Sequence, residues 1–424
     1  MYKIETFKRL RGSLTVPGDK SISHRGVMIG SIAEGATMIR GFLMGADCLS
    51  TIDCFRKMGI RIELAGDTVT VFGRGMNGLS KPADTLYTGN SGTTTRLLCG
   101  LLSGQSFDSV ITGDASICKR PMKRVTAPLS LMGARIQGDF CPLHIYGSSV
   151  HGIDYTMPVA SAQVKTAILL AGLYADSPTV IHEKEKSRDH TERMLAAAGA
   201  DISVEGNQIT LVPGKPLKSF TLEVPGDISS AAFFMAAAAI IPGSQVTIQN
   251  VGLNPTRTGI IDVFQAMGAD IQIENEHMTA AEPVGDITVT ASPLKGTVIS
   301  GQLIPRLIDE LPVIAVMAAF AQGDTVIRDA AELKVKETNR IRAVVDEFTK
   351  CGIHVTETPD GMIIHGVSRI HGADFNTYGD HRMAMSLTVL AQMTPEPCTL
   401  DDPSCVDISF PNFSALFNSL GEKE

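Results

Sequence analysis

At 424 residues the chain is too long for one ordinary domain and points to two or three. With 44% hydrophobic and 19% charged residues it can bury a sizeable core, which excludes global disorder. A net charge of −8, no Trp and 5% aromatic residues exclude a broad nucleic-acid surface, which needs a basic face and stacking rings.

The N-terminus, MYKIETFKRL, has no apolar signal core. The apolar runs, such as AAFFMAAAAII (Ala231–Ile241), are shorter than the roughly 20 residues a membrane span needs. Buried helices and a cytoplasmic protein are expected. The cysteines at 48, 54, 99, 118, 141, 351, 398 and 405 form no CxxC pair, and the histidines show no HxxxH spacing. Neither a disulfide scaffold nor a zinc site is expected, and free thiols fit a reducing compartment.

In chain order, VPGDKSISHR (Val16–Arg25) opens the first predicted helix. A Pro-Gly turn and polar caps carry Lys20, His24 and Arg25, then come an apolar run, a Gly stop and a β-branched strand. The same pattern returns at GNSGTTTRLLCG (from Gly89), VASAQVKTAILLAG (from Val159), GDISSAAFFMAAAAII (from Gly226), IDELPVIAVMAAF (from Ile308) and GDHRMAMSLTVLA (from Gly379). Anchored on Asp19, Asn90, Ala160, Asp227, Asp309 and Asp380, the starts recur at roughly 70-residue intervals. A second helix then ends at a Gly pair and a hairpin follows, as in MGIRIELAGDTVTVFG (Met58–Gly73) and CGIHVTETPDGMIIHG (Cys351–Gly366). One unit is helix, strand, helix, two strands. Six units give an α/β protein of two lobes, three units each, dividing near LEVPGD (Leu222–Asp227). The first strand, before Val16, is expected to cross into the other lobe.

Helix N-termini present free N–H groups and a partial positive charge, so they bind phosphate or carboxylate. Cations recur at these starts: Lys20 and Arg25, Arg96, Lys165, then His381 and Arg382. CKRPMKR (Cys118–Arg124) and KVKETNR (Lys334–Arg340) add two clusters. Cations there oppose the helix dipole, and a polyanionic ligand would account for them. A solvated surface is the alternative for any one cluster. Asp309, Glu310, Glu337 and Asp380 lie among the cations. A carboxylate so placed stays ionised and can act as a base. For Asp309, helix capping is the other reading.

At these residues the chain resembles the 3-phosphoshikimate 1-carboxyvinyltransferase (EPSP synthase) family. The matching stretches are VPGDKSISHR, GNSGTTTR, CKRPM, SAQVKTAILLAG, SRDHTERML, IDELP, KVKETNRI and GDHRMAMSL, from Val16 to Leu387. The resemblance implies a two-lobed inside-out α/β barrel of six βαβαββ repeats. Lobe I would be 1–17 plus 226–424 and lobe II 18–225, with the active site in the cleft between them, closing over the substrates about a hinge at Pro17-Gly18. It implies enolpyruvyl transfer from phosphoenolpyruvate to the 5-hydroxyl of shikimate 3-phosphate, in aromatic amino acid biosynthesis, through a tetrahedral adduct. No metal or organic cofactor, no nucleic-acid or membrane partner, a monomer and a glyphosate target are further implications.

By resemblance, Lys20, Ser21, Arg25, Ser161, Gln163, Asp309 and Lys336 hold shikimate 3-phosphate, with Arg188 as a further contact. Lys20, Gly92, Arg120, Gln163, Arg340 and Arg382 hold phosphoenolpyruvate. Asp309 handles the shikimate hydroxyl, Glu337 the methylene proton, and Lys20 offsets charge in the adduct. His24 receives no role and reads as packing or a local hydrogen bond. Two positions depart from the family pattern: Ala162 stands where many members have a second Ser, and Pro403–Pro411 lacks a Lys that some members carry.

Two other readings are open. The sister enzyme, which moves enolpyruvyl to UDP-N-acetylglucosamine, has Lys-Asn where this chain has Lys20-Ser21. Its reactive Cys position is Ala115 here, with Cys118 out of register. An RNA-end-processing or phosphate-binding repeat protein would need a basic surface and a nucleophile such as His381.

Overall fold

The computed structural model describes residues 1–279, 282–367 and 369–423. Met1–Pro17, Pro225–Met278 and Glu282–Glu424 form one compact unit (unit 1), and the body of the other (unit 2) is Gly18–Val224. Unit 2 contains α1 (Lys20–Ile32), α2 (Ala46–Lys57), α3 (Gly92–Ser103), α4 (Lys123–Leu131), α5 (Ala162–Gly172) and α6 (His190–Ala197). Unit 1 contains α7 (Ile228–Ile240), α8 (Gly259–Ala266), α9 (Leu311–Ala319), α10 (Arg340–Lys350), α11 (His381–Ala391) and α12 (Phe413–Ser419).

The odd-numbered helices open the repeats and lie inside. Every residue of α7 (ISSAAFFMAAAAI) and of α9 (LPVIAVMAA) is buried. A helix apolar all round can only be a core helix. The second helix of a repeat is amphipathic instead. In α10 the buried residues are Arg340, Ile341, Ala343, Val344, Glu347 and Phe348, one face at the helical period. The sheets form the outer layer, with one face buried and one exposed, as in the alternating Gln208–Val212.

Among the described residues four of the six sheets share one strand order, and a fifth repeats it with one strand added at the edge. In the first, Thr221–Glu223 runs parallel to Met38–Arg40, which pairs antiparallel with the second strand of the hairpin Arg61–Ala65/Thr68–Arg74. The strand that completes this sheet thus comes from the far end of unit 2. The N-terminal strand Arg9–Thr15 pairs parallel with Gln245–Gln249 of unit 1 before the chain enters unit 2. At that crossing Gly18 is obligatory: an added Cβ would lie 1.8 Å from the Gly41 carbonyl oxygen.

The sixth repeat departs from the expected pattern. It has no hairpin of its own. Tyr2–Lys3 pairs antiparallel with Thr399–Leu400, and Gly421–Glu422 caps Arg9–Leu10. Tyr2–Lys3 takes the place that a hairpin strand holds in the other repeats. Phe233 and Phe234 of α7 pack edge-on against Phe413, at 6.0 and 5.7 Å between ring centroids. That contact ties α12 to the core, each pair adding about 0.5–1.5 kcal/mol.

Among the described residues no helix is long and apolar enough to cross a membrane, and no group of three acidic, Cys or His residues is placed to hold a metal. All eight cysteines are free thiols.

Candidate active site

The first constellation stands at the starts of α1, α3 and α5 in unit 2. Asp19 caps α1 by accepting from Ile22 N at 2.9 Å, which sets the first turn carrying Lys20 and Ser21. Lys20 Nζ donates to Asp47 Oδ2 at 3.1 Å. Arg25 is buried, and hydroxyl and carbonyl oxygens aim its guanidinium. Nε donates to Thr191 Oγ1 (2.7 Å), Nη2 to Thr166 Oγ1 (2.9 Å) and Nη1 to the Ser21 carbonyl (3.0 Å). These three hydrogen bonds fix the plane of the guanidinium.

Ser91 caps α3, and Gly92 is its first residue. An added Cβ on Gly92 would lie 2.8 Å from Arg96 Nη1 and 3.2 Å from Arg120 Nη1, so glycine lets two guanidinium groups crowd the helix start. Arg96 Nη1 donates to Gln163 Oε1 (2.8 Å), and Gln163 Nε2 to Thr93 Oγ1 (3.0 Å). Arg120 Nη2 donates to Asn90 Oδ1 (2.8 Å), while Asn90 Nδ2 donates to Asp114 Oδ2 (2.8 Å). A carboxylate accepts only, so Asp114 fixes the amide of Asn90 with its oxygen toward Arg120. Gly92, Arg96, Arg120 and Gln163 are thus brought together. Ser161 caps α5 by accepting from Val164 N at 3.4 Å, with Ala162 in the first helical position.

Lys165 is different. The sequence placed it with the ligand-facing cations, but it is fully buried, with Nζ 2.9 Å from Glu183 Oε2 and 2.6 Å from Glu192 Oε1. Two carboxylates already take its charge, so it is an internal tie between α5 and α6. Burial pushes the Glu192 carboxyl above its usual range despite Lys165. Lys165 Nζ also meets the Ser187 carbonyl at 3.4 Å, and Ser187 N donates to Glu183 Oε1 at 3.0 Å. The backbone just before the half-buried Arg188 is thereby anchored.

The second constellation stands at the starts of α9, α10 and α11 in unit 1. Arg340, 1% exposed, is its centre. Nε donates to Asp380 Oδ2 (2.8 Å), and Nη2 to Asp380 Oδ1 (3.2 Å) and Glu337 Oε2 (2.6 Å). Nη1 lies 3.5 Å from Asp309 Oδ1. Burial works against the charge, but Asp380, Glu337 and Asp309 more than offset it and hold the Arg340 pKa above its ordinary value. Lys336 Nζ donates to Asp309 Oδ1 at 3.1 Å. Arg382 Nη1 donates to the Asp309 carbonyl at 3.1 Å. Asp380 caps α11, accepting from Arg382 N at 2.9 Å.

Asp309 is not the N-cap residue of α9. Glu310 holds the N-cap position of α9 and makes no side-chain cap bond, while the Asp309 carboxylate faces Lys336 and Arg340. Glu310 itself is buried and accepts from Ser229 Oγ. His381, 2% exposed, is too enclosed for a nucleophile that must reach an RNA end. Cys118 sits in the turn Ile117–Lys119, its Sγ 3.6 Å from the Gly113 carbonyl. Asp47, Thr166 and Thr191 received no role from the sequence, because each acts on a cation distant in the chain: Asp47 on Lys20, Thr166 and Thr191 on Arg25.

The sequence matches the family model for EPSP synthase (3-phosphoshikimate 1-carboxyvinyltransferase) over residues 4–416. It is 53% identical over 419 residues to a 3-phosphoshikimate 1-carboxyvinyltransferase of Bacillus licheniformis, covering 98% of each chain. It is 51% identical over 426 residues to that of Bacillus subtilis, covering 99% of this chain and 100% of the relative. The solved EPSP synthase of Acinetobacter baumannii superposes with a TM-score of 0.88 at 47% identity, over 100% of this chain and 98% of that one. The chain therefore belongs to the EPSP synthase family, with its two-lobed inside-out α/β fold.

Proposed function

We infer that the protein is the transferase that moves the enolpyruvyl group of phosphoenolpyruvate to the 5-hydroxyl of shikimate 3-phosphate and releases phosphate. The family match over nearly the whole chain carries this conclusion and disfavours both other readings. Lys20-Ser21 and Ala115 argue independently against the UDP-sugar enzyme. The free thiols accord with a cytosolic setting, and we take the working form to be a monomer.

Both substrates are phosphorylated carboxylates or hydroxy acids, so they need fixed cations rather than a basic surface. We assign Ser21, Arg25, Ser161, Gln163, Asp309 and Lys336, with Arg188, to shikimate 3-phosphate, and Gly92, Arg120, Gln163, Arg340 and Arg382 to phosphoenolpyruvate. Lys20 serves both. The hydroxyl oxygen attacks C2 of phosphoenolpyruvate while C3 gains a proton, giving a tetrahedral adduct. Loss of a C3 proton and of phosphate then restores the double bond. In this reading Asp309 takes the hydroxyl proton and Glu337 serves C3 in both directions. Arg340 links the two roles. A substrate carboxylate arriving at its guanidinium would draw it from Glu337, and a carboxylate parted from its cation holds a proton more readily. Lys20, Arg340 and Arg382 offset charge as the adduct forms.

Phosphate release from phosphoenolpyruvate, measured with shikimate 3-phosphate and separately with UDP-N-acetylglucosamine, tests the assignment. Turnover only with shikimate 3-phosphate is expected; turnover only with the UDP-sugar would overturn it.

A further inference from the structure

His24 lies in the most cation-rich helix start, yet it is fully buried and the reaction scheme gives it no task. Its Nδ1 is 2.7 Å from Thr51 Oγ1. Thr51 Oγ1 is 2.7 Å from Thr94 Oγ1, and Thr94 Oγ1 donates to Ser91 Oγ at 2.7 Å. Ser91 Oγ also accepts from Thr94 N at 3.1 Å, which is the cap of α3. An unbroken buried chain of four side chains therefore joins α1 to the cap beside Gly92.

The chain has a direction. A hydroxyl has one proton, and Thr94 gives its proton to Ser91. Thr51 must then donate to Thr94, so His24 must donate to Thr51 from Nδ1. The other ring nitrogen agrees: Nε2 is buried with no hydrogen-bond partner. Reversing the chain would put the proton on Nε2 and leave a buried donor unsatisfied, the more costly arrangement. Burial, with Lys20 and Arg25 nearby, holds the imidazole well below its ordinary pKa of 6.5, which keeps it neutral.

We propose that His24, as its neutral Nδ1–H tautomer, is a positioning residue for phosphoenolpyruvate, acting through Thr51 and Thr94 on the Ser91 cap and so on the backbone at Gly92. The proposal rests on the assignment of Gly92 to phosphoenolpyruvate given above. His24 sits between Lys20 and Arg25, so the same chain sets the α3 start relative to residues assigned to shikimate 3-phosphate.

Two measurements on the full-length protein test it. In the wild type with ¹⁵N-labelled histidine, the resonance that disappears in His24→Asn identifies His24, and its two-bond couplings report the tautomer. A protonated Nδ1 is expected; a protonated Nε2 overturns the proposal. In steady-state kinetics, His24→Leu and Thr51→Val should each raise the KM for phosphoenolpyruvate by about tenfold, with the KM for shikimate 3-phosphate changing less than about threefold. The double variant should be no worse than either single one, because both cut one chain. His24→Asn, whose amide reaches the Nδ1 position, should restore the KM. Unchanged KM values in folded His24→Leu, equal rises for both substrates, or no rescue by Asn would each overturn it. Failure of the functional assignment looks different: the wild type itself would not turn over with shikimate 3-phosphate.

Discussion

Arg340 and Asp380, 40 residues apart, meet as a fully buried pair in which two guanidinium nitrogens reach one carboxylate at 2.8 and 3.2 Å. The same carboxylate caps α11 through Arg382 N, so it fixes two of the cations assigned to phosphoenolpyruvate. Removing Asp380 leaves the buried guanidinium with Glu337 and Asp309, but it takes away two charge-assisted hydrogen bonds and the α11 cap, together about 3–5 kcal/mol. Asp380→Ala should lose about that much stability in urea denaturation, and phosphoenolpyruvate affinity with it. A loss under about 1 kcal/mol would show that the pair contributes little.

Gly92→Ala separates packing at the site from folding. Beyond its own helix backbone, the added methyl meets first the far ends of Arg96 and Arg120, at 2.8 and 3.2 Å. Both side chains can give way, and alanine suits a helix start as well as glycine does. The thermal midpoint should hold within about 2 °C, while the KM for phosphoenolpyruvate rises about tenfold. A large fall in thermal midpoint would contradict this account.

Lys165→Met tests the internal tie. It leaves Glu183 and Glu192 buried without their shared cation and should cost about 3–5 kcal/mol at pH 7. Glu192 already lies above its usual carboxyl pKa, and losing Lys165 pushes it further up. A carboxyl with a raised folded-state pKa binds more protons folded than unfolded, so stability falls as pH rises through that range. The variant's deficit should therefore be greatest at pH 7 and above and shrink toward pH 5. A deficit independent of pH between 5 and 8 would contradict the assignment.

Lys165 also shows where the sequence misleads. It lies in the first turns of a repeat helix as Arg96 does, four residues past its cap against five, but Glu183 and Glu192 close over it from just past the next strand and from the next helix, and no local pattern announces that. The repeat, the inner helices and the caps Asp19, Asp227 and Asp380 were legible, because N-cap chemistry and all-apolar helices are local signals. The cap of the second repeat falls on Ser91 rather than Asn90, which instead aims Arg120. The missing sixth hairpin was hidden because its place is filled by the opposite end of the chain. Asp309 had two readings in the sequence, and only the positions of Lys336 and Arg340 separate them. His24 was silent because Thr51 reaches it from a second helix and Thr94 reaches Thr51 from a third.

The central claim is that Asp309 exchanges the hydroxyl proton, and Asp309→Ala measures it most directly, through kcat alongside the dissociation constants of both substrates. Positioned acid–base groups contribute about 10²–10⁴ in rate, so kcat should fall by that factor with each dissociation constant within about tenfold of wild type. Asp309→Asn, which still accepts from Lys336, should show the same loss of turnover with tighter binding than Ala. Near-normal kcat in Asp309→Ala would contradict the account.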